Sequence, residues 1–177
     1  MHSTVVTIFS QHHLAHEAFG TNSLDTRTHT PRMVSWQHGD EGTVILNVDG
    51  SALTNTRKAG YGGLIRKHDG SFQLDLFGSA GISNILHAEI QDLLTGVKLC
   101  SDAGYRKLIC CSDSLRVMQL VMKETTRFYH YANLLELLRM HLAKDWSISL
   151  YHILREGNSR VVILAKMRAN RSNHLVI

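Results

Sequence analysis

Three carboxylates occupy positions that simple folding rules do not favour. Asp49 and Asp113 each follow directly on an apolar run, at residues 44–48 and 108–112, and Glu89 falls on the apolar side of a helical pattern. A carboxylate in such surroundings is costly unless it is paired or bound to a metal ion. If the two apolar runs are neighbouring parallel strands, their carboxyl ends meet at one edge of the sheet, and all three acids can converge there.

A cluster of this kind has a definite chemistry. Oxygen-only ligand sets select hard cations such as Mg²⁺ or Mn²⁺, and two such ions about 4 Å apart can activate a water molecule and steady the leaving oxygen of a phosphodiester. Each acid alone has a simpler interpretation: Asp49-Gly50 as a turn, Asp113-Ser114 as a helix N-cap, and Glu89 as the partner of a lysine. Their joint placement favours a metal-dependent site.

The elements that must position these acids follow from hydrophobic periodicity. An antiparallel meander of three strands is predicted at residues 44–49, 59–66 and 71–78, followed by an amphipathic helix at 84–103 and a short apolar strand at 108–112. Helices at 115–123 and 132–143, a strand at 146–153 and a closing helix at 161–168 complete the order βββ-α-β-α-α-β-α. The strand, helix and strand in succession imply a right-handed crossover and a parallel pair.

Length and composition indicate one soluble globular domain. The chain has 177 residues, 44% of them hydrophobic and 19% charged, with a single proline. We assign the domain to residues 43–170, leaving a polar, His-rich N-terminal segment at 1–42 unassigned and a C-terminal tail at 171–177. No apolar stretch approaches the roughly 18 residues that a membrane span needs. We expect no membrane association.

The charge balance and the cysteines indicate the kind of partner and the compartment of the protein. Residues 43–177 contain 17 Lys and Arg against 11 Asp and Glu, an excess of six positive charges. This excess suits a polyanionic partner such as a nucleic acid, although ordinary solvated surface charge is the alternative. Cys100, Cys110 and Cys111 lack metal-type spacing and are expected to be reduced core residues of an intracellular protein, nuclear or cytoplasmic.

Several ordered motifs carry a family resemblance: LNVDGS at 46–51, AGYGGLIR at 59–66, AE at 88–89, SDS at 112–114, and His152 with REGN at 155–158 and LAK at 164–166. Over residues 36–166 the chain resembles the ribonuclease H superfamily, and closely the RNase H-type domains of plant non-LTR retroelements and their host relatives. The resemblance implies an α/β fold, with a five-stranded mixed sheet and helices on both faces. It also implies an endonuclease that hydrolyses the RNA strand of RNA/DNA hybrids with two Mg²⁺ or Mn²⁺ ions.

By the same resemblance, Asp49, Glu89 and Asp113 are the first three acids of the family's site, both catalytic and metal-binding. His152 is a further catalytic candidate, with an ordinary residue at a strand end as the alternative. The expected nucleic-acid contacts are Gly50, Ser51, Ser114 and Asn158.

The sequence departs from the family at the fourth carboxylate. Plant relatives usually have Asp four residues after the asparagine of the last motif, whereas here Asn158 is followed at that spacing by Val162. In the family this Asp shares the metal that prepares the attacking water, so we expect hybrid binding to survive better than turnover. A catalytically inactive nucleic-acid-binding module is one alternative, and a decayed retroelement remnant is another. The motifs name no protein partner.

Overall fold

The computed structural model describes residues 7–10, 39–123 and 129–158. The strands are β1 Thr7–Ser10, β2 Thr43–Ala52, β3 Lys58–Lys67, β4 Phe72–Ile82, β5 Lys107–Ser112 and β6 Ser147–His152. They form one mixed sheet in the order β1-β6-β5-β2-β3-β4. The helices are α1 Ile85–Asp102, α2 Leu115–Met122 and α3 Ala132–Leu142, with a 3₁₀ turn at Arg155–Asn158.

Strands β2 to β6 are the five predicted strands, and the prediction of a five-stranded mixed sheet with helices is confirmed. Strand β2 pairs in parallel with β5 and antiparallel with β3, and β5 pairs in parallel with β6. A sixth strand, β1, extends the sheet by pairing in parallel with β6, from Thr7 opposite Ser149 to Ser10 opposite His152. The sequence did not predict β1, because four residues are too few for a reliable periodicity.

The prediction that the first domain strand ends at Asp49 was wrong. The parallel ladder with β5 ends at Val48 opposite Ser112, but the antiparallel ladder with β3 continues to Ala52 opposite Ala59. Asp49 therefore lies just beyond the pairing with β5, at a point where β2 is still paired with β3. An Asp-Gly pair is typical of a turn, but here strand β2 continues through it because the long partner strand β3 pairs with these residues.

The two faces of the sheet follow the alternation along its strands. Val44, Leu46 and Val48 face a large core that also contains the buried sides of α1, α2 and α3, while Ile45 faces a smaller cluster with Cys111. All three helices of the described ranges thus pack on one face. The predicted closing helix at 161–168 lies outside the described residues.

Local signals set the limits of α1. The Asn84 side chain caps its start by accepting a hydrogen bond from the His87 amide at 2.9 Å, and Gly104, with a positive φ of 80°, follows its end. These limits agree with the predicted helix at 84–103 to within about one residue. The three cysteines are free and buried, as expected. Of the helices in the described ranges, none combines the length and hydrophobicity that crossing a bilayer requires.

Candidate active site

Strand register brings Asp49 and Asp113 together. Val48 of β2 lies opposite Ser112 of the parallel strand β5, so the next residue of each chain emerges at the same carboxyl end of the pair. Asp49 is 2% exposed and the Asp113 side chain 12% exposed. Asp49 Oδ2 and Asp113 Oδ1 are buried and have no hydrogen-bond partner in the described part of the chain. When both acids are ionised these two oxygens are therefore available to a ligand, whereas a protonated Asp49 shares a hydrogen bond with Asp113.

Glu89 reaches the same edge from the helix above. The start of α1 lies so close to β2 that a Cβ atom on Gly50 would stand 2.6 Å from both the backbone nitrogen and Cγ of Glu89. The Ser114 hydroxyl donates a hydrogen bond to Glu89 Oε2, which links the helix to the residue after Asp113. Asp49, Glu89 and Asp113 are called the acid cluster from here on.

Burial and mutual repulsion dominate the electrostatics of the acid cluster. Desolvation, helped by the nearby Asp113 charge and opposed by Arg155, raises the pKa of Asp49 from 3.8 to about 7. Desolvation likewise raises the pKa of Glu89 from 4.5 to about 7, against the hydrogen bond from Ser114. In the absence of a cation, both groups therefore hold protons close to neutral pH, and a bound cation would favour their charged forms.

Two basic side chains border the acid cluster beside Asp113. His152, the last residue of β6, places Nε2 3.2 Å from the backbone oxygen of Asp113. Arg155, at the start of the 3₁₀ turn, places Nε 3.9 Å from Asp113 Oδ2, and its side chain is 57% exposed. The structure thus brings the predicted His152 next to the acids. Arg155 is an additional neighbour for which the sequence assigned no role.

The buried side chain of Asn158 links the 3₁₀ turn to strand β2. It is 1% exposed, its Nδ2 donates to the Val48 carbonyl at 2.6 Å, and its Oδ1 accepts from Asn47 Nδ2 at 3.3 Å. Asn47 in turn accepts from Arg66 Nε at 3.3 Å, so a buried polar network joins the 3₁₀ turn to β2 and β3. The sequence predicted Asn158 as a nucleic-acid contact, and here its side chain is engaged within the protein.

The other predicted nucleic-acid contacts lie beside the acid cluster but are little exposed. Ser51 is buried in β2 opposite Gly60, and Ser114 is the buried N-cap of α2, where its Oγ accepts from the Val117 amide at 3.5 Å. Gly50 allows the close approach of α1 to the strand. Their contact with a nucleic acid stays a prediction. Val162, the predicted position of the missing carboxylate, lies outside the described residues.

Sequence reasoning missed Asp92, a fourth buried carboxylate. It lies one helical turn after Glu89, is 0% exposed, and accepts a hydrogen bond from the Asp49 amide at Oδ2. Desolvation raises its pKa well above 3.8, although the amides of Asp49 and Gly62 oppose this. The signal was present, since Asp92 shares the apolar side of the helix with Glu89 at i+3. Applying the argument used for Glu89 one turn further would have found it.

The acid cluster fits a hard divalent cation in the chemistry of its donors. Its ligands are carboxylate oxygens, and two of these, on Asp49 and Asp113, are buried without partners. As placed, however, the described residues contain no group of three metal-ligating side chains arranged around one point. Glu89 contacts Ser114 instead. In the present arrangement, therefore, a cation could bind to Asp49 and Asp113, and Glu89 lies close by.

The comparisons with known proteins identify the family. Residues 47–168, a span that contains the whole acid cluster, match the model of the family described as reverse transcriptase-like. The chain belongs to this family, which has the RNase H-like fold. No curated protein sequence matches this RNase H-like chain. A plant retroelement origin stays a prediction.

Solved structures agree on the fold. RNase H1 from the archaeon Halobacterium salinarum superposes with a TM-score of 0.66 at 23% identity, over 73% of this chain and 98% of that one. The N-terminal RNase H domain of a Mycobacterium tuberculosis protein superposes with a TM-score of 0.64 at 20% identity, over 72% of this chain and 94% of that one. LC11-RNase H1, which was isolated from compost, superposes in its complex with an RNA/DNA hybrid with a TM-score of 0.58 at 23% identity, over 72% of this chain and 96% of that one.

Proposed function

We propose that this RNase H-like domain binds RNA/DNA hybrids and hydrolyses the RNA strand with Mg²⁺ or Mn²⁺, at a rate reduced by the absence of the fourth carboxylate. The observation that carries the proposal is the acid cluster: Asp49 and Asp113 emerge side by side from parallel strands, and Glu89 is tied to the same edge through Ser114. Two oxygens of this cluster, Asp49 Oδ2 and Asp113 Oδ1, are buried without hydrogen-bond partners, and a bound cation would satisfy both.

Each side chain then has a defined task. Asp49 and Asp113 would hold the cation through their unpartnered oxygens, and Glu89 would join them on leaving Ser114. Two bound ions would activate water and steady the leaving oxygen of the phosphodiester. His152, which contacts the Asp113 backbone, stands where an imidazole can exchange a proton beside the acids. Val162 supplies no ligand, and this motivates the proposal of slow turnover.

The partner is proposed from fold and charge together. LC11-RNase H1 and the foamy viral protease-reverse transcriptase were both solved in complex with an RNA/DNA hybrid. The excess of six positive charges in residues 43–177 suits phosphate contacts. Base specificity is not expected, because A-form-like duplexes are recognised through their backbone, 2′-hydroxyls and groove shape. The free, buried cysteines support the further proposal of an intracellular location, nuclear or cytoplasmic.

The decisive experiment follows a labelled RNA/DNA hybrid with the purified full chain in Mg²⁺, in Mn²⁺ and in EDTA. Cleavage of the RNA strand that requires a divalent ion and is lost in Asp49→Asn supports the nuclease. Salt-sensitive binding without cleavage in either metal supports the inactive nucleic-acid-binding module instead. If gel electrophoresis shows no cleavage and fluorescence anisotropy shows no salt-sensitive binding, the protein is better described as a remnant with another role.

A further inference from the structure

A positive charge stands beside the acid cluster without a role in the proposed chemistry. Among the ion pairs of the described residues, the one that reaches the cluster joins Arg155 Nε to Asp113 Oδ2 at 3.9 Å. The same guanidinium also interacts favourably with the charged forms of Asp49 and Glu89, and so opposes the rise in their pKa values. Its charge is therefore felt by all three acids.

The backbone that carries Arg155 is fixed by buried contacts. Arg155 begins the 3₁₀ turn that ends at Asn158. The buried Asn158 side chain donates to the carbonyl of Val48, the residue immediately before Asp49. The Ile153 amide also donates to the Ser112 carbonyl at 2.9 Å, which ties the chain before the turn to the end of β5. The position of Arg155 is thus set by the same strands that set Asp49 and Asp113.

The Arg155 side chain is less constrained than its backbone. Although its backbone is held, the Arg155 side chain is 57% exposed, and its ion pair with Asp113 is long. Asp113 is largely buried, but the guanidinium lies on the solvent side of the pair, and an ion pair at 3.9 Å with one exposed partner is weak enough to open without disturbing the fold. The guanidinium of Arg155 therefore neutralises part of the negative charge of the acid cluster and can also move away from it.

We infer that Arg155 is a built-in counter-cation of the acid cluster, which a divalent ion must displace, or bind against, to occupy the oxygens of Asp49 and Asp113. The inference rests on the proposed function for the identity of the ion. Two positive groups a few ångströms apart repel each other, and near the protein surface this repulsion is modest. We expect Arg155 to weaken divalent-ion binding by roughly three- to tenfold.

The test measures Mn²⁺ binding to the full chain by electron paramagnetic resonance of the free ion, without nucleic acid. Arg155→Gln should bind Mn²⁺ about three- to tenfold more tightly than wild type, and Arg155→Lys, which keeps the charge, should stay near wild type. Arg106→Gln is the matched control. It removes the same charge from an exposed residue just before the start of β5, at the opposite end of the strand from Asp113.

Each result decides the inference. Binding to Arg155→Gln no tighter than to Arg106→Gln would overturn it, and so would weaker binding or an absence of Mn²⁺ binding in every variant. Asp49→Asn should lose the site and thereby locate the ion. Circular dichroism and a denaturation curve verify that each variant is folded. Because no hybrid is present, failure of hybrid cleavage overturns the proposed function without affecting this result.

Discussion

The carboxylate of Asp92 accepts a hydrogen bond from the backbone amide of Asp49, with 2.8 Å between the nitrogen and Oδ2. The contact joins the middle of α1 to β2 at the residue where the parallel ladder with β5 has just ended. The Asp49 amide therefore has a partner on the helix. Asp92 thus helps to hold the backbone of Asp49 beneath Glu89.

Replacing Asp92 with asparagine should change how stability depends on pH. The folded-state pKa of Asp92 is raised by burial, so its contribution to stability is fully present at low pH and is lost as the pH rises towards that pKa. Asparagine keeps an oxygen for the Asp49 amide and does not ionise. The stability of Asp92→Asn relative to wild type should therefore increase between pH 4.5 and pH 8, as measured by urea denaturation. A constant difference would contradict this.

Asp49 and Glu89 should make the metal-free protein less stable as the pH rises. The pKa values of Asp49 and Glu89 are raised to about 7, so the folded state holds protons that the unfolded chain releases above its ordinary values of 3.8 and 4.5. In EDTA the free energy of unfolding should fall between about pH 4 and pH 7, and adding Mn²⁺ at pH 8 should recover part of it. Asp49→Asn should make the fall in stability with pH smaller, leaving the part due to Glu89, and should lose the response to Mn²⁺.

Gly50→Ala should destabilise the protein by about 1–3 kcal/mol, because the new methyl group would overlap the backbone of α1 at Glu89. Gly96→Ala is a matched comparison. Its Cβ would stand 2.7 Å from Leu46 Cδ2, a buried side-chain atom rather than backbone, and alanine favours the helix by about 1 kcal/mol. Denaturation should show a larger loss for Gly50→Ala. Equal losses would mean that α1 can move away from β2.

Asn158→Ala should cost about 1–3 kcal/mol, because it leaves the Val48 carbonyl and the Asn47 amide buried without their partner. Arg155→Gln, in the same turn but exposed, should change the free energy of unfolding by less than about 0.5 kcal/mol. The comparison is made by urea denaturation at one pH. A loss no larger for Asn158→Ala than for Arg155→Gln would refute the tie between the turn and β2.

Val162→Asp should raise the rate of hybrid cleavage in Mg²⁺ by roughly tenfold or more, because a charged ligand would be restored to the metal that prepares the water, and each 1.36 kcal/mol in the barrier is about tenfold. Val162→Asn is the uncharged control and should give a smaller gain. Adding Asp49→Asn should abolish whatever Val162→Asp restores. A folded Val162→Asp protein that binds hybrid and remains inert would favour the nucleic-acid-binding module.

The sequence by itself determined the parts of this protein that depend on local pattern. Periodicity placed β2 to β6 and the three helices, because each element repeats its apolar residues at its own spacing. Asp49, Glu89 and Asp113 were recognisable because carboxylates are unusual beside apolar runs, and the family match includes all three.

Only the tertiary structure decided which groups meet across long stretches of chain. Asn158 contacts Val48 from 110 residues away, so no local pattern could distinguish a buried tie from a surface contact. The continuation of β2 beyond Asp49 depends on the length of β3, and the place of Arg155 beside Asp113 depends on the register of β6 against β5. Side-chain partners are set by pairing between distant strands, and the residues flanking a position in the sequence carry no record of that pairing.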